Sequence, residues 1–116
     1  MTRLVTQYPC FQGDIMITRI AALPSQKLTV AVPVNGVYIL AHSENGGHHV
    51  VAERAAQHLI DETNEFISYL RALAPGEIEH LRPLDTHEPW AIEPGAVYEV
   101  RNAREFGIEG WRRTID

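Results

Sequence analysis

The stretch LTVAVPVNGVYILAH, residues 28–42, constrains the fold more than any other part of the chain. Leu28, Val30, Val32 and Val34 alternate with smaller or polar residues, Asn35 and Gly36 follow, and a second run continues from Val37 to His42. Alternation with a period of two is the pattern of a half-buried strand, because successive side chains on an extended backbone point to opposite faces. Asn and Gly both tolerate positive φ, which a two-residue turn between paired strands requires. The spacing predicts a hairpin of 28–34 with 37–42. Pro33 has no N–H to give to a ladder, which predicts an edge or a bulge at that point.

Turn signals recur about every ten residues elsewhere, the rhythm of an antiparallel sandwich or small barrel. GDIMITRIA, 13–21, reads as a strand ended by LPSQ. APGE, 74–77, precedes the short run IEHLRPL. EPGAVYEVRNAREF, 93–106, places a Pro-Gly turn before a strand with Tyr98, Val100 and Phe106, and WRRTID reads as a closing strand. The expected core holds Ile15, Ile17, Val30, Val32, Ile39, Leu59, Ile67, Leu70, Tyr98 and Val100.

The segment VAERAAQHLIDETNEFISYLRAL, 51–73, supports two readings. Ala52, Ala55, Ala56, Leu59, Ile60, Phe66, Ile67 and Leu70 are spaced for an amphipathic helix over about 52–72, built from good helix formers. The same residues read as two strands around the polar turn DETNE, since FISYL is rich in strand formers. The fold class expected is all-β and mainly antiparallel, with an α+β fold as its alternative.

The chain has 116 residues, room for a single domain. A net charge of −5 argues against general nucleic-acid binding, which draws on clustered Lys and Arg. Cys10, the one cysteine, has no internal partner for a disulfide. No apolar run approaches the roughly 18 residues of a membrane span, and MTRLVTQYPC lacks a signal-peptide core. A cytoplasmic protein is the expectation.

Three of the six histidines crowd into HSENGGHHVV, 42–51. Imidazoles converging with a carboxylate are what a transition metal such as zinc needs. Polar residues decorating an exposed hairpin are the plainer explanation. His42 and His48 can meet across the Asn45-Gly46-Gly47 turn, with Glu44 or Glu88 as further ligands, whereas His49 must point to the opposite strand face from His48. His87 can complete the set only through the fold. His58 and His80 are expected to be structural or solvated.

ILAHSENGGHHVV and DTHEPWAIEPGAVYEVRNAREF together resemble a group of small, functionally uncharacterised bacterial and phage-encoded proteins. Their pattern is Gly-His-x-His, then Thr-His-Glu, an apolar run, Pro-Gly and Tyr-x-Val-x-Arg-x-Arg-Glu-aromatic. Gly47-His48, Thr86-His87-Glu88, Pro94-Gly95 and, within 98–106, Tyr98, Val100 and Arg104-Glu105-Phe106 match it over about residues 13–116. Val50 stands where the second histidine of the first motif falls, and Trp90 stands near the place of a histidine after the second. The resemblance implies strands on both sides of DETNE. It also implies that His48 approaches His87, with His42 the next partner.

Three functional readings follow. The first is a non-catalytic β-module that binds a protein partner or assembles with itself, since nucleophile-elbow, phosphate-loop, CxxC and HExxH motifs are missing. Trp90, with Glu88, is its expected contact region if the tryptophan is exposed. The second is a cupin-like metal-dependent enzyme, with Glu53 joining the imidazoles of GGHHVVAE around a divalent metal. The third is an acidic phage inhibitor of a host protein.

Overall fold

The computed structural model describes residues 2–42, 48–81 and 88–102. Its middle is decided by the DETNE turn. The Asp61 carboxylate accepts hydrogen bonds from Thr63 N at 2.8 Å, Thr63 Oγ1 at 2.6 Å and Gln26 Nε2, and Asn64 Oδ1 accepts from Phe66 N at 3.0 Å. Short polar side chains thus satisfy the local amides and make the turn self-sufficient. It joins β7 (Ala56–Asp61) to β8 (Ile67–Ala72), antiparallel with Leu59 opposite Tyr69. The helix expected as an alternative over 52–72 does not form. Its apolar spacing has a different origin: His58, Leu59, Tyr69 and Leu70 are all buried, on both faces of the sheet, so strict alternation is lost.

The remaining strands are β1 (Arg3–Leu4), β2 (Cys10–Gln12), β3 (Ile15–Ile20), β4 (Leu28–Val30), β5 (Val37–His42), β6 (His48–Ala52), β9 (Gly76–Leu81), β10 (Trp90–Ile92) and β11 (Val97–Asn102). A five-stranded sheet runs β1-β10-β9-β6-β5 and a six-stranded sheet runs β2-β3-β11-β8-β7-β4. All pairs are antiparallel except β1 with β10. Among the described residues the fold is all-β and sandwich-like, with no helix and with two open edges on each sheet, so it is not a closed barrel.

Ile15, Ile17, Tyr98 and Val100 of the six-stranded sheet form one core with Tyr38, Val51 and Ile78 of the other. Each such side chain contributes roughly 1.5–3 kcal/mol through burial. Leu59, Ile67 and Tyr69 form a second cluster, covered by Ile20, Leu23 and Leu28. Seven of the expected core residues are therefore buried: Ile15, Ile17, Leu59, Ile67, Leu70, Tyr98 and Val100.

The other three differ, and the reason lies in the Asn35-Gly36 turn. The turn forms as expected, with φ of 51° and 83°, and Val34 and Val37 exchange N–H···O bonds of 2.7 and 3.1 Å. Pairing stops at that single bridge. β4 pairs with β7 and β5 pairs with β6, so the two flanks enter different sheets. Pro33 adjoins the bridge and has no N–H with which to extend it. Val30, Val32 and Val34 are left 53%, 84% and 54% exposed, and Ile39 is half-buried. Alternation had shown that one face is apolar, not that anything covers it.

Candidate functional site

On β6 the alternation of side chains turns His49 inward and His48 outward, as the strand geometry requires. His49 is fully buried and stands opposite His80 of β9, whose ring stacks on it at 4.1 Å and 8°. Gln12, on the edge strand of the other sheet, reaches across. Its Nε2 donates to the carbonyls of Ile78 at 2.8 Å and Glu88 at 3.0 Å. Those two bonds orient the amide and leave Oε1 as an acceptor facing His49 Nδ1 at 2.9 Å. His49 Nε2 lies 2.8 Å from Asp14 Oδ1, in the turn between β2 and β3.

Both imidazole nitrogens therefore meet acceptors, an amide oxygen and a carboxylate. Nδ1 donates to the Gln12 oxygen, which can only accept, and a single proton joins Nε2 to Asp14. This hydrogen-bonded group ties the two sheets together. Chemically the group can orient the part-exposed Asp14 carboxyl. Asp14, Gln12 and His80 were not expected at a site. His80 did carry a signal, because it follows Ile78 by two on a strand and so shares that residue's inward face. Gln12 and Asp14 carried none, since only the tertiary pairing brings them to β6.

The expected site residues fall as follows. His48 is half-buried and its Cα partners are His42 on β5 and Leu81 on β9. The His42 side chain, Glu44 and His87 lie outside the described residues, and with them the approach of His48 to His87. Glu53 is exposed beyond the end of β6, five positions from His48. At about 3.3 Å per residue that is roughly 16 Å of strand, too far for both to ligate one metal. His58 and His80 are buried, within the structural role expected of them. Among the described residues no three His, Cys, Asp or Glu side chains gather as a metal would need.

Glu88 and Trp90 come together at the β1–β10 edge. Arg3 is 3.8 Å from the Glu88 carboxylate, and its guanidinium lies 5.7 Å from the Trp90 ring centre. Trp90 is half-buried against the main core, so Arg3 and the core together cover much of it. Burial pushes the Cys10 thiol up to about 11, which keeps it protonated and a poor nucleophile near neutral pH.

The family model for the Domain of unknown function (DUF8820) matches residues 11–103. The chain belongs to this family. The span matched to DUF8820 takes in Gln12, Asp14, His49 and His80, and also both clusters of the core beyond Val5. Searches of curated proteins and of solved structures found no match.

Proposed function

We propose that this DUF8820 domain is a non-catalytic β-module that associates with protein through the β4 edge, in the first instance with a second copy of itself. The observation that supports it is the exposure of Val30 at the end of β4 and of Val32 and Val34 just beyond it, in a segment with the sequence pattern of a buried strand. Edge strands are ordinarily protected by charge, bulges or cover, and an apolar, unprotected edge is a template for another strand. β4 uses the backbone of alternate residues on its own sheet: Ala31 N donates to His58 O and Glu62 N donates to Lys27 O. The intervening residues Leu28, Val30 and Val32 turn their N–H and C=O groups the other way, outward. An antiparallel copy centred on Val30 would set Leu28 of one chain against Val32 of the other, with no charge between them.

Sedimentation velocity across a concentration series tests this. Wild-type protein is expected to dimerise, and Val30→Lys with Val32→Lys is expected to yield a monomer with unchanged thermal unfolding. A wild type that stays monomeric, or a dimer that survives both lysines, overturns the reading.

A further inference from the structure

Residues 3–6 close one side of the sandwich in a manner unlike the other strands. β1 is two residues long and pairs in parallel, Arg3 beside Trp90 and Leu4 beside Ala91, which is the less stable mode per residue. The chain then crosses from one sheet to the other. Val5 N donates to Ala91 O at 3.0 Å beside the five-stranded sheet, and Thr6 O accepts from Arg19 N of β3 at 2.8 Å beside the six-stranded one. Val5 enters the core at 1% exposure, whereas Arg3, Leu4 and Thr6 are exposed.

The chain that follows is exposed from Gln7 to Pro9, and the Tyr8 N–H is met locally by Thr6 Oγ1 at 3.2 Å. Residues 4–8 also border an open hollow of about 610 Å³ shared with Arg19, Ile20, Ala21 and Glu93, so solvent reaches one flank of the segment. The span matched to the family begins beyond it, at residue 11. The slot that residues 3–6 fill has three features. Ala91 O and Arg19 N receive an extended backbone, and an enclosed apolar position takes a side chain of valine size. Two residues earlier, Glu88 and Trp90 receive a cation, as the distances of 3.8 and 5.7 Å to Arg3 show.

We propose that this slot is a peptide-recognition groove which residues 3–6 occupy in cis, and that it takes in their place an extended segment of a partner protein with Arg or Lys two positions before Val. Backbone pairing supplies affinity and the two side-chain positions supply selectivity. A carboxylate in the Val5 place is buried without a partner, and one in the Arg3 place faces Glu88. The tethered segment competes as an intramolecular ligand, so the groove stays closed until that segment is displaced. β3 lies towards the opposite edge of the six-stranded sheet from β4, and the groove does not depend on association there.

Fluorescence anisotropy with a labelled peptide of residues 2–7, TRLVTQ, tests the proposal on the full chain. Full-length Val5→Asp, whose own segment no longer seats, is expected to bind this peptide at least tenfold more tightly than wild type does. In the peptide, Val5→Asp is expected to weaken binding at least tenfold and Arg3→Glu about threefold. Equal binding of the native and Val5→Asp peptides overturns the proposal, as does a Val5→Asp chain that stays unfolded or unbound at saturating peptide. A second measurement keeps every native side chain. With a protease site inserted between Gln7 and Tyr8 and cut in the folded protein, the labelled peptide should replace the cleaved segment, as read by native mass spectrometry. A cleaved segment that stays in place under excess peptide is a permanent strand and overturns the proposal equally.

Discussion

Two buried histidines occupy one inter-sheet core and meet opposite circumstances. His49 has an acceptor at each nitrogen, Gln12 Oε1 at 2.9 Å and Asp14 Oδ1 at 2.8 Å. His58 has a tyrosine edge and, among the described residues, no hydrogen-bond partner at Nε2. Burial is nearly the same for both. What differs is the partner: acceptors face both nitrogens of His49, whereas burial without such partners pushes His58 down to about 4. One histidine thereby ties the sheets together, and the other is left with unused hydrogen-bonding capacity among the described residues.

The largest expected effect is at the stapled end. His49→Leu should cost about 2–3 kcal/mol in urea denaturation, because it strands the buried Gln12 oxygen and removes the bond to Asp14. A loss below about 1 kcal/mol would mean that the staple is decorative. The acid limb of the stability curve should then report His58. The His58 pKa is lowered from 6.5 to about 4, so the unfolded chain takes up this proton first and stability falls as pH drops from about 6.5 to 4. The contribution at stake is up to about 3 kcal/mol, and His58→Leu should remove that slope. Asp61, whose carboxyl is held low chiefly by the Thr63 hydroxyl and amide, supplies stability that is present above 3.8 and lost as pH falls through its lowered value. Its loss therefore belongs to a more acid window than that of His58.

Gln12→Ala should cost about 1–3 kcal/mol, since it leaves buried carbonyls and an imidazole N–H unbonded. Amide exchange at the β2–β3 hairpin should accelerate with it, and unchanged exchange would place the tie between the sheets elsewhere. The smallest effect is expected of His58→Leu at pH 7, within about 1 kcal/mol of wild type and in the stabilising direction, because an unpaired polar ring is replaced by an apolar chain. A large destabilisation would show that His58 holds a structural bond after all.

Local chemistry was legible along the chain. Asn35-Gly36 adopts its two positive φ values, and Asp61, Thr63 and Asn64 build their turn from atoms within five residues. The opposite facing of His48 and His49 follows from strand geometry alone. The direct opposition of His42 and His48 was within reach of a tight-turn argument and is found in the register of β5 and β6. These features depend on neighbours in sequence, whose identities are on the page.

Tertiary structure decided what each apolar face and each buried polar atom would meet. Val30 and Ile17 have the same local signature, yet one lies on an uncovered edge and the other at the centre of the core. Gln12 reaches Ile78 across 66 residues and Glu88 across 76, so no local pattern announces the group that fixes His49. The helix-like spacing of 52–72 misleads for the same reason, because a strand covered on both faces loses its alternation through contacts with distant residues. Periodicity and turn chemistry act over a few residues, where backbone geometry is nearly independent of context. Burial and hydrogen-bond partnership are set by which strands become neighbours, and that is a property of the whole chain.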